Sequence, residues 1–399
     1  MSGEPLEALG PVLLPEHRRP PSVSGVQCHY FDSGACRSCR LMGVPYRRQV
    51  ADKQAAAEQT LREVMPGVQW LEPFAGPESG YRNKAKWVVG GSSDSPTIGI
   101  LDEFREGIDL RECGICEPAL VEAFPVLAAF ISSCGLVPYD VRRRTGEIKY
   151  LIVTASPEGE LMVRFVLRSR VQLPAIRRGL PELLAVLPQA AVVSVNLHPE
   201  HKAVLEGHEE VVLTDRRTLP MRLHDVTLHL GPQGFFQTNS TVASALYRQA
   251  TEWATDVQPS SVLDMYCGVG GFALFAAPAS ARSIRGVELS EDAVAAARAS
   301  ALQASGPERF TFGAGDAAMD PAPDADLVIV NPPRRGIGEG LAHRLETSPS
   351  EHVLYSSCNP VTLAQDLARM PSLRPRQARL FDMFPQTAHV EVAVLLDRV

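Results

Sequence analysis

The chain has 399 residues with 45% hydrophobic and 21% charged content, which is typical of an ordinary globular protein of about two or three domains. Its formal net charge of −7 argues against a protein that coats nucleic acid through bulk charge, but does not exclude a local basic face. No stretch approaches the roughly 20 apolar residues that span a bilayer, so we expect no membrane span.

Residues 1–24 are rich in proline and poor in aromatic residues, which predicts a flexible N-terminal extension. This segment lacks the apolar core of a signal peptide, so we expect a cytoplasmic protein. In that compartment the 8 cysteines are expected to be metal ligands, catalytic groups or core residues rather than disulfides.

Two short groups of cysteines predict a metal site. Cys28, Cys36 and Cys39 lie in one loop-like stretch, and Cys113 and Cys116 lie further along the chain. One interpretation is a zinc ion bound by the Cys36–Cys39 and Cys113–Cys116 pairs. The other is an iron–sulfur cluster bound by the first three cysteines and one distant cysteine, which the spacing favours slightly.

The middle of the chain is basic and contains several predicted strands. Arg82, Lys84 and Lys86 alternate with other residues in GYRNKAKWVVGG, so they would share one face of a strand. Arginines such as Arg164, interleaved with aromatic residues such as Phe165, suit looped or single-stranded RNA. Further strands are predicted at residues 148–153, 161–168 and 190–197.

The C-terminal part repeats a strand, turn and helix pattern that predicts a cofactor pocket. The first strand leads into Tyr266 and a glycine-rich turn with Gly268, where small residues let the backbone approach a ligand. The second strand ends in Glu288, an acid placed to bind ribose hydroxyls. Asp316 follows the third strand, and Asn331 opens an Asn-Pro-Pro turn after the fourth. Together these features predict the S-adenosylmethionine pocket of a seven-stranded Rossmann-like methyltransferase.

A cysteine and a glutamate supply the predicted chemistry. Cys358 directly follows the fifth strand, HVLYSS, which Pro360 should end, and Glu391 lies in the seventh. A thiolate, an acid/base and a methyl donor suit methylation of a weakly nucleophilic carbon such as uracil C5. The thiolate would add at C6, C5 would attack the methyl group, and Glu391 would then remove the C5 proton.

The chain resembles the RlmC (RumB) branch of the RNA uracil-5-methyltransferase family over nearly all of residues 26–399. The resemblance is carried by the segments FDSGACRSC, GYRNKAKWVV, FFQTN, CGVGGF, NPPRRGIG, YSSCN and DMFPQTAHVE. It implies 5-methyluridine formation at one site in 23S rRNA, with S-adenosylmethionine as methyl donor and a [4Fe-4S] cluster. Cys358 resembles the family nucleophile and Glu391 its general base.

The resemblance also implies the residues that hold the cofactors. The S-adenosylmethionine contacts would be Gln237, Tyr266, Glu288 and Asn331, with Asp316 at the position of an adenine contact. The cluster ligands would be Cys28, Cys36, Cys39 and Cys113. Cys113 is preferred to Cys116 because the family's fourth ligand follows a D-L-x-x segment, here Asp109-Leu110.

The expected partner is a looped or single-stranded segment of 23S rRNA, with no obligate protein partner. The target uridine must be flipped out of the stacked RNA, and Phe235 and Gln237 are candidates to contact it. No small β-barrel RNA-binding module precedes the cysteines, unlike in longer relatives, so RNA binding is expected from the middle of the chain.

The expected architecture is α/β. An extension at residues 1–24 precedes an α+β iron–sulfur and RNA-binding domain at 25–228 and a seven-stranded methyltransferase domain at 229–399. The alternatives are a tRNA uracil-5-methyltransferase and an amino-methyltransferase of RNA or protein that uses the Asn-Pro-Pro turn. A non-enzymatic RNA-binding or redox-sensing module is a further alternative, but it leaves the methyl-donor pattern unexplained.

Overall fold

The computed structural model describes residues 26–202, 204–317, 319 and 323–399. The predicted extension at residues 1–24 lies outside the described residues. The described helices are, in chain order, α1 (His29–Asp32), α2 (Tyr46–Leu61), α3 (Pro118–Ser133), α4 (Leu173–Val186), α5 (Ser240–Val257), α6 (Gly271–Phe275), α7 (Glu291–Ala301), α8 (Gly338–Thr347) and α9 (Pro360–Leu367).

The strands in the first two thirds of the chain are β1 (Gln69–Trp70), β2 (Phe74–Ala75), β3 (Lys84–Gly91), β4 (Pro96–Leu101), β5 (Gly107–Asp109), β6 (Ile148–Ala155), β7 (Leu161–Leu167), β8 (Ala190–Leu197), β9 (Glu209–Val212), β10 (Leu219–Leu223) and β11 (Val226–Leu230). The remaining strands are β12 (Ser261–Met265), β13 (Ser283–Glu288), β14 (Phe310–Ala314), β15 (Leu327–Val330), β16 (His352–Ser357), β17 (Leu373–Asp382) and β18 (Glu391–Arg398).

The C-terminal sheet contains all seven strands expected there, which confirms that prediction. They are ordered β14-β13-β12-β15-β16-β18-β17. The first five pair in parallel, whereas β18 runs antiparallel to both β16 and β17. The central strand β15 (LVIV) is buried along its whole length, as expected for a parallel strand covered on both faces.

Helices cover both faces of this sheet because its strands are apolar on both sides. On one face α5, α6, α7 and the β10–β11 hairpin pack into one apolar core. On the other face α2, α8 and α9 pack into a second core. The parallel strands therefore end together at one edge of a three-layer structure, where ligands bind in open α/β sheets.

The N-terminal part of the chain contributes to the same sheet. Strands β1 and β2 add in parallel to β17, and α2 packs against β17 and α9. Lys53 on α2 makes a buried ion pair with Asp382 at the end of β17, with 2.6 Å between Nζ and Oδ1. Residues 46–75 thus cover an otherwise open sheet edge, although the predicted boundary at residue 228 groups them with the middle of the chain.

A second sheet occupies the middle of the chain, in the order β5-β4-β3-β6-β7-β8-β9. Its pairings are antiparallel except for β7 and β8, which α4 connects as a parallel crossover. Helices α3 and α4 share its apolar core. The strands predicted at residues 148–153, 161–168 and 190–197 are confirmed as β6, β7 and β8.

The prediction that this sheet presents Arg164 and Phe165 to RNA is wrong. Both side chains are completely buried. The Arg164 guanidinium lies 2.7 Å from a carboxylate oxygen of Glu206 and 2.7 Å from one of Glu210. The sequence pattern showed the cation but not these two carboxylates, which arrive from 42 and 46 residues further along the chain. Arg164 therefore balances charge inside the fold.

Among the described residues, none of the helices combines the length and the apolar character that crossing a bilayer requires.

Candidate active site

The pairing of β16 with β18 brings the two predicted catalytic residues together. Ser357, the last residue of β16, is opposite Val392, the second residue of β18. One further step along this antiparallel register places Cys358 opposite Glu391. The Cys358 thiol is half-buried, and its pKa responds to the charge of Glu391. The predicted nucleophile and the predicted base are therefore neighbours at the carboxyl end of β16.

The local sequence explains why Cys358 lies at this edge. Asn359 has extended backbone angles, and its Oδ1 accepts a hydrogen bond from the amide of Val361 at 3.2 Å, which caps α9. Pro360 then occupies the first position of the helix, where its missing N–H costs nothing. The Asn359 Nδ2 also donates to the carbonyl of Arg334 at 3.2 Å. This bond ties the cysteine turn to the loop that begins at Asn331.

Burial and nearby charges set the state of the thiol. Burial raises the pKa of Cys358 above its ordinary value, and Glu391 raises it further, while the Arg334 guanidinium lowers it. The resting group near neutral pH is therefore the thiol, and the cation that favours the reactive thiolate is Arg334. Sequence reasoning assigned no role to Arg334, although the arginines after the Asn-Pro-Pro turn were visible in the sequence.

Glu391 is buried, with 2% of its surface exposed. Burial raises the pKa of its carboxyl group to about 7, although a hydrogen bond from Ser356 opposes the shift. The Ser356 Oγ donates this bond to Oε1 at 2.5 Å. A carboxylate with a pKa near neutrality is suited to accept a proton and then release it to solvent.

The glycine-rich turn and Glu288 form the second part of the site. Tyr266, Gly268 and Gly270 have φ angles of 75°, 53° and 89°, so the backbone turns sharply between β12 and α6. The Gly268 amide donates to Oε2 of Glu288 at 3.1 Å, and the Ser290 amide donates to Oε1 at 3.0 Å. A Cβ atom at Gly268 would meet nothing within 4 Å, so space above the turn is open to a ligand.

Asp264, near the end of β12, is a residue to which sequence reasoning gave no role. Its side chain is completely buried, and Oδ2 accepts a hydrogen bond from the Ala273 amide at 2.9 Å, while Oδ1 has no partner. Burial raises the pKa of this carboxyl group to about 7. The signal in the sequence was an acid within an apolar strand, just before the glycine-rich turn.

The other predicted cofactor residues lie at the same sheet edge. Asn331 directly follows β15, and Asp316 lies just beyond β14. Burial raises the pKa of the Tyr266 hydroxyl, and the charge of Asp316 adds to the shift. A groove along the outermost strand of the sheet is lined by residues of β13 and β14 and by Asp316. The set fits S-adenosylmethionine, because fixed carboxylates can bind hydroxyl groups beside an apolar surface.

The loop before α5 contributes one buried and one exposed side chain. Gln237 is 6% exposed, and its backbone carbonyl accepts a hydrogen bond from Asn83 Nδ2 at 2.9 Å. This bond connects the loop to the residues just before β3. Phe235, two positions earlier, is 66% exposed. Its ring is therefore accessible to a partner, unlike that of Phe165.

The four cysteines predicted as cluster ligands surround one cavity. Cys28, Cys36, Cys39 and Cys113 line it together with apolar residues. Burial raises the pKa of Cys39 to about 12, and the three other thiols add to the shift. Cys116 does not line the cavity, but its thiol hydrogen-bonds to Cys113. Within the described ranges no group of three or more acidic, His or Cys side chains forms a site for a metal ion.

Two family models match the chain. A tRNA (Uracil-5-)-methyltransferase model matches residues 323–399, and a Methyltransferase small domain model matches residues 235–353. Among solved structures, the Pyrococcus abyssi tRNA (uracil-54, C5)-methyltransferase bound to S-adenosyl-L-homocysteine is similar, with a TM-score of 0.75 at 25% sequence identity. The match covers 90% of this chain and 84% of that one.

Curated relatives match over almost the full chain. The chain is 44% identical over 384 residues to the 23S rRNA (uracil(747)-C(5))-methyltransferase RlmC of Halothiobacillus neapolitanus, covering 94% of this chain and 100% of that protein. It is 44% identical to the protein of the same name from Yersinia enterocolitica, covering 93% of this chain and 99% of that one.

Glu391→Gln should remove a pH-dependent loss of stability. The pKa of Glu391 rises from 4.5 to about 7 on folding, so between these values the folded protein binds the proton more tightly than the unfolded chain. Stability therefore falls as pH rises through this window, by about 3 kcal/mol in total. The free energy of unfolding of the variant minus that of wild type, measured by urea unfolding, should therefore be larger at about pH 8 than at about pH 5. An equal difference in unfolding free energy between variant and wild type at both pH values would contradict a raised pKa for Glu391.

Proposed function

The chain belongs to the RlmC family of 23S rRNA (uracil-C5)-methyltransferases, and we propose that it transfers a methyl group from S-adenosylmethionine to C5 of a uridine in 23S rRNA. The observation that carries the proposed mechanism is the position of Cys358 opposite Glu391 at the ends of β16 and β18. The relatives are named for uracil 747, so the corresponding nucleotide is the first to test.

The mechanism begins at the thiol. Cys358 loses its proton to solvent, with the Arg334 charge favouring the thiolate, and the sulfur forms a bond to C6 of the uracil. The electrons of the C5–C6 double bond move toward C5 and the O4 carbonyl, so C5 becomes nucleophilic. S-adenosylmethionine would supply an electrophilic methyl group: C5 takes the methyl group, the methyl–sulfur bond breaks with its electron pair remaining on sulfur, and S-adenosylhomocysteine leaves. Covalent addition thus turns a poorly reactive carbon into a competent nucleophile.

The second half of the reaction uses Glu391. C5 now carries both a methyl group and its original proton, and the Glu391 carboxylate removes that proton. The electron pair re-forms the C5–C6 double bond as the C6–S bond breaks, which regenerates the Cys358 thiolate. Because the pKa of Glu391 is about 7, the carboxylate is available near neutral pH and can pass its proton to solvent.

The residues at the sheet edge would hold the methyl donor in the orientation that this reaction needs. We assign the ribose hydroxyls to Glu288, whose carboxylate is fixed by two backbone amides. Gly268 would allow the close approach of the donor to the turn, and Asp316 would lie by the adenine. Tyr266, Gln237 and Asn331 complete the proposed pocket. In support, the Pyrococcus abyssi structure holds S-adenosyl-L-homocysteine.

The cysteine cavity is proposed to hold a [4Fe-4S] cluster. Cys28, Cys36, Cys39 and Cys113 would be its ligands, because four thiols around one cavity are the donor set that such a cluster takes. The zinc alternative requires Cys116, which does not line the cavity. The cluster would cross-link two segments that lie 74 residues apart between Cys39 and Cys113 and would thereby stabilise the fold.

The proposed RNA ligand presents its uridine flipped out of the stack. The Phe235 ring is exposed and could stack on a base, while the buried Gln237, two positions later, would contact the flipped uracil. A tRNA substrate is the second candidate, because a family model and the Pyrococcus abyssi structure are both named for tRNA. The amino-methyltransferase alternative would leave the adjacent Cys358 and Glu391 without a role.

Glu391→Gln should trap the enzyme on its RNA. The variant can still form the Cys358–C6 bond and transfer the methyl group, but an amide cannot remove the C5 proton. A covalent protein–RNA adduct should therefore accumulate on denaturing gels with unmodified 23S transcript, and turnover should fall roughly 100-fold or more. The double variant with Cys358→Ala is the control and should form no adduct. Full turnover by Glu391→Gln would contradict the assigned base.

Phe235→Ala should reduce methylation of RNA without reducing binding of S-adenosylmethionine. Loss of one stacked base costs about 1–3 kcal/mol, which corresponds to a decrease in RNA affinity of roughly 5-fold to 150-fold. The matched control is Phe104→Ala, since Phe104 is similarly exposed at 59% but lies between β4 and β5 of the second sheet. Equal losses of RNA and methyl-donor binding, measured by titration calorimetry, would exclude the stacking role.

Cys113→Ser should lower the iron and sulfide content of protein purified without oxygen, whereas Cys116→Ser should largely retain both. The reason is that only Cys113 shares the cavity with the first three cysteines. Cys134→Ser serves as a control because Cys134 lies on the second sheet's helical side, beside Ala175. Retention of iron by the Cys113 variant together with its loss from the Cys116 variant would reverse the assignment.

A further inference from the structure

Gln386 lies in the loop of residues 383–390 that joins β17 to β18, and every polar group of this residue is bonded. Its amide donates to Oε1 of Gln49 at 3.0 Å, and Gln49 Nε2 donates back to its Oε1 at 2.8 Å. Its carbonyl accepts from the Leu41 amide at 3.0 Å, and its Nε2 donates to Oε2 of Glu78 at 3.2 Å. The side chain is 2% exposed.

The backbone of Gln386 is in the left-handed region, with a φ of 66°. This conformation disfavours residues with a Cβ atom. It persists only where the surroundings hold it, and here Gln49 bonds both the backbone and the side chain. Such strain is concentrated at functional sites, and the candidate active site lies next to this loop.

The strained residue lies five positions before Glu391. The intervening chain is tightly folded, because Thr387 Oγ1 donates to the Phe384 carbonyl at 2.8 Å and accepts from the His389 amide at 3.2 Å. A shift of Gln386 would therefore also move the start of β18.

The start of the loop is held by two further residues from the N-terminal part of the chain, Lys53 and Tyr81. Lys53 Nζ donates to Asp382 Oδ1 at 2.6 Å and to the Phe384 carbonyl at 3.1 Å. The Tyr81 hydroxyl donates to the Pro385 carbonyl at 2.9 Å. All of these donors lie more than 300 residues from the loop in sequence. Gln49, Lys53 and Tyr81 thus hold the chain in place just before Glu391.

We propose that Gln386 is a positioning residue that, through its paired amide contact with Gln49, holds the Glu391 carboxylate where it can remove the C5 proton. The proposal rests on the function proposed above. It separates two half-reactions, because Cys358 lies between β16 and α9, whereas Glu391 directly follows this loop. Loss of the contact should therefore slow resolution of the methylated adduct far more than its formation.

Two variants test the contact from opposite sides. Gln386→Gly removes the side chain and also relieves the backbone strain, while Gln49→Ala leaves Gln386 in place without its partner. The control is Gln54→Ala on the same helix, since Gln54 Nε2 donates to Glu58 within α2 rather than to the loop. Thermal unfolding of each variant identifies any that fail to fold, and either folded variant is sufficient for the test.

The measurement is single-turnover methyl transfer to unmodified 23S transcript, followed on the same samples by release of free RNA. Both variants should transfer the methyl group at a rate within about twofold of wild type. They should release RNA at least about tenfold more slowly, because a displaced general base loses part of its effect on proton removal. A denaturation-resistant RNA adduct should accumulate. Equal slowing of both steps, or normal release, would overturn the proposal. Failure of the proposed function itself would appear differently, as absence of methyl transfer by the wild-type protein.

Discussion

The antiparallel insertion of β18 between β16 and β17 is the constraint on which the rest of the site depends. Because β18 runs against the five parallel strands, its first residue lies at the edge where those strands end. Glu391 therefore lies beside Cys358, and both share that edge with the glycine-rich turn after β12. A parallel β18 would have placed Glu391 at the opposite edge of the sheet, where it could not act on a base bound to the cysteine.

Exclusion of water raises the pKa values of the two groups that the proposed reaction uses, Cys358 and Glu391. The same burial that raises the pKa of Glu391 to about 7 also raises that of the Cys358 thiol. The proposed base is consequently matched to neutral pH, while the proposed nucleophile requires the Arg334 charge to favour its thiolate. A hydrogen bond from the Ser356 hydroxyl offsets only part of the cost of placing a carboxylate in this environment. The N-terminal segment completes the enclosure, since α2 and the residues around Gln49 pack on the loop that precedes Glu391.

Local patterns in the sequence were sufficient to predict the strands of the C-terminal sheet and the location of Cys358. Buried parallel strands are short apolar runs, and Pro360 fixes where β16 ends. Contacts between distant segments were beyond such patterns. The two glutamates that neutralise Arg164, the addition of β1 and β2 to β17, and the Gln49–Gln386 contact each join parts of the chain with no shared periodicity. The basic face predicted around Arg164 was wrong for this reason: cations were visible in the sequence, but their partners were not.

We propose that Cys358 bonds covalently to the uridine that receives the methyl group. It is tested most directly with RNA that carries 5-fluorouridine at the target position, because fluorine at C5 leaves no proton for Glu391 to remove and so preserves the adduct. After reaction with S-adenosylmethionine and protease digestion, mass spectrometry should find one methylated fluorouridine on the peptide that contains Cys358. Methylation of ordinary 23S transcript without any such adduct, or an adduct on another cysteine such as Cys267, would contradict the account.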